Sequence, residues 1–466
     1  MQNYKLINDI NPEIFRAYDI RGVVNRDLTA DVVYTLGVAI GSEAQKCGNQ
    51  EVIIGRDGRL SGPMLLAALS AGLQATGCNV INIGEVTTPM VYYATCTLHT
   101  CSGVALSGSH NPPDYNGLKI VLASETLAGS RILALYTRIQ QQDFCVGQGK
   151  EENLAIMDSY LAEITKRVKL ARPLNLVVDC GNGVGGKIAP VLLRKLGCQV
   201  SELYCTVDGS FPNHQPDPSE HKNLQDLVAA VKQQQADVGL AFDGDADRVG
   251  VVTNQGEIIA SDRLLMFLAQ DVLARNAGAK IVFDVKATRR LPEQIKRFGG
   301  IPIMSQTGHS FLKAKLKETG ALLAGEVSGH IFYKDNWFGF DDGIYTAART
   351  LELLSRDART SSEIFATFPD TVNTPEIKVP CAEDKKFALI ARFKQAAHFP
   401  SATINTIDGL RADFVDGFGL VRVSNTTPYL IMRFEGDTQE ALQRIRADFY
   451  RELIRVEPQL QGLLPM

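Results

Sequence analysis

Three aspartates alternate in Asp243-Gly-Asp245-Ala-Asp247, directly after the apolar run Val238-Gly-Leu-Ala-Phe242. Carboxylates this closely spaced repel one another unless a cation sits among them, and hard oxygen donors of this kind suit Mg²⁺. An EF-hand calcium loop would carry Gly at its sixth position and Glu at its twelfth, where this chain has Arg248 and Asn254. A second segment, Gly108-Ser109-His110-Asn-Pro-Pro113, presents a serine hydroxyl in a turn stiffened by proline. Serine is a weak nucleophile and needs activation. The GxSxG elbow of serine hydrolases is absent, and His110 is poorly placed to act as base for its own neighbour. Glu326, Ser328 and His330 in Gly325-Glu-Val-Ser-Gly-His330 offer donors and acceptors suited to sugar hydroxyls. Arg422-Val-Ser-Asn-Thr-Thr-Pro428 gathers a guanidinium, hydroxyls and an amide in a turn suited to phosphate.

Two other patterns invite rival readings. Gly181-Asn-Gly183-Val-Gly-Gly186 matches GxGxxG after a strand and before a helix, with Glu202 about where a ribose-binding acid would stand. That segment belongs to the middle one of three repeats whose other copies lack these glycines, so it reads as a tight backbone turn. Cys96-Thr-Leu-His99-Thr-Cys101 has the look of half a zinc site, but no second ligand pair stands at a familiar spacing. It reads as buried small residues.

The elements that must position these loops form a repeat. Val52-Ile-Ile-Gly55, a helical stretch to Thr76, Gly77 and then Val80-Ile-Asn-Ile83 make a strand–helix–glycine–strand unit. The unit recurs as Leu176–Asp179 with Gly197 and Val200–Leu203, and as Ile281–Asp284 with Gly299 and Ile301–Met304. This is the βαβ pattern, with glycine where a helix C-terminus needs positive φ. In each unit a further apolar strand, Val104–Leu106, Val238–Phe242 or Ala321–Ala324, runs into one of the loops above. In open α/β sheets ligands bind beyond the carboxyl ends of strands, so three equivalent loops are expected to converge on one cleft. The chain after about residue 370 departs from this pattern. Strand-like runs at 402–407, 419–423 and 429–433 precede one amphipathic helix over Thr438–Val456, which predicts a small α+β module.

The 466 residues are 45% hydrophobic and 21% charged, an ordinary globular composition that at about 150 residues per domain suggests about three domains. A net charge of −4 gives no global positive field for nucleic acid or an anionic membrane. No run approaches the ~18 unbroken apolar residues of a membrane span, and the start lacks the apolar stretch of a signal peptide. Nine scattered cysteines read as reduced thiols, so a cytoplasmic location is expected.

Together these segments resemble the α-D-phosphohexomutase superfamily. Ser107-Gly-Ser-His-Asn-Pro-Pro-Asp-Tyr-Asn-Gly-Leu-Lys119 looks like its phosphoserine loop and Asp243-Gly-Asp-Ala-Asp-Arg248 like its metal loop. Gly325–His330 and Arg422–Thr426 look like its sugar and phosphate loops. Phe15-Arg-Ala-Tyr-Asp-Ile-Arg-Gly22 and Gly55-Arg-Asp-Gly-Arg59 match its N-terminal pattern. Ser-Asn-Thr-Thr-Pro in the phosphate loop points to the bacterial phosphomannomutase/phosphoglucomutase group, since phosphoglucosamine mutases typically show Ser-Gly-Thr-Glu-Pro. Val327 stands where that family often has Met or Phe.

The resemblance implies an α/β fold of three similar domains with mixed, largely parallel sheets plus a C-terminal α+β domain around a central cleft. The expected boundaries are 1–155, 156–256, 257–370 and 371–466. It also implies a two-step phosphoryl exchange on small phosphosugars, mannose and glucose phosphates. Ser109 would be the carrier, Mg²⁺ on Asp243, Asp245 and Asp247 the cofactor, and a hexose 1,6-bisphosphate the intermediate and activator. Lys119 and His330 are implied as acid/base groups with His309 beside them. Tyr18, Arg21 and Lys286 are implied as cleft contacts, and Glu326, Val327, Ser328, Gly329 and His330 as the sugar site. Arg422, Val423, Ser424, Asn425 and Thr426 are implied as the grip on the non-reacting phosphate. A monomer or dimer is expected. Alternatives are a phosphoglucosamine mutase, an aspartyl-phosphate phosphotransferase using Asp243, and a non-catalytic sugar-phosphate sensor, which would need neither Ser109 nor the metal loop.

Overall fold

The computed structural model describes residues 4–424 and 427–465, the side chain of Glu383 excepted. Four sheets follow one another along the chain. The first runs in the order Ile20–Val23, Tyr115–Leu122, Gly103–Leu106, Glu51–Arg56, Asn79–Glu85, Glu151–Asn153. The second runs Ile258–Ile259, Val249–Thr253, Val238–Phe242, Asn175–Asp179, Gln199–Leu203, and the third Ile301–Ser305, Lys280–Asp284, Leu323–Gly325, Ile331–Tyr333.

Each of these three sheets has the same centre. A βαβ strand pairs in parallel with its successor on one side and with the loop-bearing strand on the other. The loop-bearing strand then turns back into an antiparallel neighbour: Gly103–Leu106 into Tyr115–Leu122, Val238–Phe242 into Val249–Thr253, and Leu323–Gly325 into Ile331–Tyr333. The sheets are therefore mixed, with parallel pairing at the centre and antiparallel pairing at one edge. The three chemistry-bearing loops are the three equivalent hairpin turns. Gly77, Gly197 and Gly299, after the unit helices, have φ of 93°, 97° and 81°, the left-handed conformation that ends a helix.

One apolar cluster runs through all three units, from Ile53 through Val178 and Phe242 to Phe283 and Phe368. At the junction sits the chain's single tryptophan. Trp337 stacks on Tyr345 with ring centroids 4.2 Å apart, and lies 6.2 Å from both Tyr93 and Tyr160 of the preceding units. Such pairs contribute roughly 0.5–1.5 kcal/mol each beyond their buried area, so this cluster fixes the relative positions of the three loops. Tyr160 adds a hydrogen bond from its hydroxyl to Asp342 at 2.9 Å.

The fourth sheet is antiparallel throughout, in the order Val372–Asn373, Tyr429–Gly436, Gly417–Val423, Leu410–Phe414, Thr403–Asn405, with Ile377–Pro380 also on Tyr429–Gly436. Helices Glu383–Ala396 and Gln439–Val456 cover it through Phe393, Ile445 and Phe449. Thr438 caps the second helix, its side chain accepting from Ala441 N–H. The unit docks on the third through buried guanidinium groups. Arg411 donates to the carbonyls of Val285 and Ala287 at 2.6 and 2.7 Å, and Arg433 to that of Lys286 at 2.9 Å. Among the described residues no helix is long and apolar enough to cross a membrane.

Candidate active site

The first hairpin turn holds Ser109 in a constrained pose. Ser109 has φ of 48°, a left-handed conformation unusual for a residue with a Cβ, and it is buried. Asp57 and Arg59 enforce it. Asp57 accepts from Ser107 Oγ at 2.9 Å and Gly108 N at 3.1 Å. The fully buried Arg59 guanidinium donates to the carbonyls of Ser109, Asn111, Pro112 and Tyr115 at 2.5–2.8 Å. Arg21 adds a contact to Asn111 Oδ1 at 2.5 Å. The Ser109 hydroxyl is thereby aimed at the second turn, donating to Asp243 Oδ2 at 2.8 Å. His110 departs from expectation, because the left-handed turn folds its ring back until Nδ1 lies 3.1 Å from Ser109 Oγ. Burial, and then Arg248, hold this imidazole well below the usual histidine range, so it is neutral.

The second turn brings Asp243, Asp245 and Asp247 together, each fully buried, with one oxygen of each within 4.8 Å of the others. Gly244 permits the close approach to the serine turn, for a Cβ there would stand 2.3 Å from the Ser109 carbonyl oxygen. Lys119, from the strand after the serine turn, places Nζ 2.7 Å from Asp245 Oδ2 and also contacts Asp247. Burial opposes the ammonium charge, yet Asp245 and Asp247 hold Lys119 above the usual lysine range. Burial and the two neighbouring carboxylates push Asp243 well above the usual carboxylate range. Asp245 Oδ1 and Asp247 Oδ1 are buried with no hydrogen-bond partner. Three carboxyl groups within reach of one another, two of them with an unpartnered oxygen, fit a hard divalent cation. Thr88 steadies the set from the first unit, its hydroxyl donating to Asp245 Oδ2 at 2.6 Å.

The glycine-rich turn of the second unit packs behind this loop, Val184 N–H donating to the Gly244 carbonyl at 3.1 Å. Glu202 instead pairs with Arg194 at 2.7 Å on the surface. The dinucleotide pattern thus braces the aspartate loop. Cys96 and His99 are exposed and Cys101 half-buried, contrary to the expectation of buried small residues, because they lie at and beyond the end of helix Thr88–Thr97.

The third turn contributes Glu326, which accepts from Gly308 N at 2.5 Å and Ser328 Oγ at 3.0 Å. Gly329 closes the turn, its N–H donating to the Glu326 carbonyl at 3.1 Å. His330, at the start of the return strand, lies with its ring 5.6 Å from that of His309. His309 in turn meets Tyr18 edge-on at 5.0 Å. Burial and then Lys313 keep His309 well below the usual histidine range. His330 Nε2 accepts from Arg248 Nε at 3.0 Å, and His330 Nδ1 lies 3.1 Å from Asp341 Oδ2.

A second polar cluster lies where the third and fourth units meet. Val327 N–H, on the sugar-type loop, donates to Asp284 Oδ1 at 3.3 Å, and Lys286 Nζ lies 4.0 Å from Asp284 Oδ2 and 2.6 Å from Glu376. The Lys286 ammonium pulls the Glu376 carboxyl down to about 2, against the effect of burial. Arg422 Nε donates to Asp408 at 2.9 Å, while its buried Nη2 has no hydrogen-bond partner. Asp408 also accepts from Thr307 N at 3.0 Å, which ties the Arg422 strand to the third unit. Val423 is buried at that strand's end, and Ser424 Oγ lies 2.6 Å from Thr427 Oγ1. Asn425 and Thr426 lie outside the described residues.

The structure therefore gathers Ser109, Lys119, the three aspartates, His309, His330, Tyr18 and Arg21 around one centre, and Lys286 and Arg422 around another, while the Ser424 hydroxyl is engaged with Thr427. Glu326–Gly329 spans the two. Sequence reasoning assigned no role to Asp57, Arg59, Thr88, Lys313, Asp341, Glu376 or Asp408. Asp57 and Arg59 lay in a motif already noted. Thr88 and Glu376 act across long sequence separations, and Lys313, Asp341 and Asp408 at spacings that match no motif.

Models of four consecutive domains match the chain. They are described as phosphoglucomutase/phosphomannomutase alpha/beta/alpha domains I, II and III, over residues 12–145, 158–256 and 260–372, and the phosphoglucomutase/phosphomannomutase C-terminal domain, over 376–452. A protein of Pseudomonas aeruginosa named phosphomannomutase/phosphoglucomutase is 56% identical over 447 residues, 96% of each chain. A phosphoglucomutase of Neisseria gonorrhoeae is 51% identical over 455 residues, 97% of this chain and 98% of the other. A crystal structure of a phosphoglucomutase/phosphomannomutase family protein from Burkholderia thailandensis superposes with a TM-score of 0.92 at 48% identity. It covers 96% of this chain and 98% of its own.

Proposed function

The chain belongs to the phosphoglucomutase/phosphomannomutase family, isomerases that interconvert hexose 1-phosphates and hexose 6-phosphates, and from that premise we propose how its residues divide the work. Ser109 is the phosphoryl carrier, and mannose and glucose phosphates are the substrates. The observation that carries this reading is the buried Ser109 hydroxyl 2.8 Å from Asp243, on turns supplied by two different sheets.

Phosphorylated Ser109 donates its phosphoryl group to the free hydroxyl of a hexose monophosphate. The bond from Ser109 Oγ to phosphorus breaks, the new O–P bond forms on the sugar, and Oγ recovers a proton from the Lys119 side. His330 takes the proton of the attacking hydroxyl. The product is a hexose 1,6-bisphosphate, which turns over so that its other phosphate returns to Ser109. Asp243, Asp245 and Asp247 hold Mg²⁺, which when bound supplies positive charge to the transferring group. Glu326 and Ser328 hold sugar hydroxyls, with Val327 and Gly329 shaping the turn. Tyr18, Arg21, His309 and Lys286 line the cleft. Arg422, Val423 and Ser424, with Asn425 and Thr426, receive the phosphate that is not reacting. The unpartnered Nη2 of Arg422 supports that assignment.

Assaying glucose 1-phosphate and mannose 1-phosphate side by side, with glucose 1,6-bisphosphate as activator, tests the reading. Conversion of both to 6-phosphates is expected. Conversion of neither would end it.

A further inference from the structure

We infer that Asp341 is a positioning residue that holds His330 in a single tautomer, with the proton on Nδ1 and the lone pair on Nε2, so that Nε2 receives the sugar proton. The inference rests on the proton-accepting role proposed for His330.

The argument begins from Arg248, whose guanidinium has donors only. Its Nε lies 3.0 Å from His330 Nε2, so Nε2 must be the accepting nitrogen and a neutral ring must carry its proton on Nδ1. Two carboxylate oxygens face Nδ1: Asp341 Oδ2 at 3.1 Å and Asp247 Oδ1 at 3.5 Å. Asp247 belongs to the cation set, its Oδ2 receiving Lys119 and its Oδ1 left for the cation. Asp341 is the nearer, and the one other group facing its Oδ2 among the ion pairs, His309 Nδ1, stands farther off at 3.7 Å. Asp341 is fully buried, and that oxygen has no aligned hydrogen bond to any other group. The 3.1 Å contact is itself short but bent, a geometry that often tightens only when substrate is bound.

Asp341 is in turn held in place. Its backbone pairs with Phe332, two residues beyond His330, and its Oδ1 lies 3.1 Å from Lys313 Nζ, which rests 4.0 Å over the Tyr92 ring. A carboxylate on Nδ1 fixes the ring and stabilises the imidazolium formed when Nε2 takes a proton. A cation shared by Asp247, His330 and Asp341 would need the Nδ1 lone pair, which the Arg248 contact rules out. The rival account is that Asp341 merely neutralises Lys313.

The test uses the full chain labelled with ¹⁵N-histidine, with the His330 signal identified by its loss in His330→Gln. In the unmodified protein the ¹⁵N shifts should report Nδ1–H and an unprotonated Nε2. Asp341→Asn should disturb that tautomer and lower kcat on the order of 10²–10⁴-fold, with KM changed by no more than about threefold. Lys313→Met should keep the Nδ1–H tautomer and lower kcat at least tenfold less than Asp341→Asn does. An Nε2–H tautomer in the unmodified protein overturns the inference even if Asp341→Asn does not fold. So does full kcat in Asp341→Asn, or a fall in Lys313→Met as large as in Asp341→Asn. Full activity in His330→Gln would remove the base itself and this inference with it. An inactive His330→Gln beside a fully active Asp341→Asn would remove only the role of Asp341.

Discussion

Ser109 Oγ donates a hydrogen bond to Asp243 Oδ2 at 2.8 Å, joining residues 134 positions apart on the hairpin turns of two successive sheets. The contact places the nucleophile against the cation-binding set rather than near it. Lys119 joins the same set, pairing with Asp245 and Asp247. Nucleophile, anionic ligands and proton source therefore occupy one water-poor centre, where positioning and electrostatics do most of what phosphoryl transfer requires.

Asp245→Asn should lower kcat on the order of 100-fold with the fold retained, because it removes one anionic ligand but leaves an oxygen for Thr88 and Lys119. Chelation of the unmodified enzyme should abolish turnover, and added Mg²⁺ should restore it. Circular dichroism and a thermal melt accompany the kinetics. Full turnover in excess EDTA would mean that the aspartates only neutralise Lys119.

Arg422→Ala should lose a charge-assisted contact of roughly 1.5–3 kcal/mol. That corresponds to about a 10- to 150-fold loss in kcat/KM. Glucose 1-phosphate and mannose 1-phosphate should suffer alike, because the contact is to phosphate and not to the epimeric C2 hydroxyl. Asp408 keeps the Thr307 N–H as partner, so the docking of the fourth unit should survive. A loss confined to one sugar would move Arg422 out of the phosphate grip.

His214 provides a pH-dependent contribution to stability. Burial opposes its charge, but Asp179, 3.0 Å from Nε2, raises its folded value above the ordinary histidine value of about 6.5. A raised folded value means the native state binds the proton more tightly. The stabilisation is thus fully present below the ordinary value and is lost as pH rises through the folded one. Urea unfolding of His214→Gln should show the variant less stable than the unmodified protein at acid pH, with the gap closing toward alkaline pH. A gap that widened with pH would reverse the sign assigned here.

Much of this architecture was legible in the chain. Apolar strands and helix-ending glycines marked the three βαβ units, and Thr438 with the amphipathic pattern after it marked the last helix. The four loops were found because each combines residue types that ordinary turns seldom bring together. What escaped were the partners that hold those loops. Arg59 gathers four carbonyls of the serine turn from the loop between strand Glu51–Arg56 and helix Gly62–Ala75, and Thr88 reaches Asp245 across 157 positions. Such pairings depend on how sheets stack, which local spacing does not encode. His110 was misjudged for a related reason. A sequence neighbour reaches Ser109 Oγ only because φ of 48° folds the turn back on itself.

The central claim is that Ser109 carries the phosphoryl group, and one labelling experiment tests it directly. Hexose 1,6-bisphosphate bearing ³²P is mixed with the enzyme, the protein is digested, and the labelled peptide is sequenced and weighed. The label should lie on Ser109, with the peptide heavier by about 80 Da, the mass of one phosphoryl group. It should resist hydroxylamine, pass to unlabelled glucose 1-phosphate on mixing, and be absent from Ser109→Ala. Label on the Asp243 peptide that hydroxylamine releases, or full turnover by Ser109→Ala, would contradict the account.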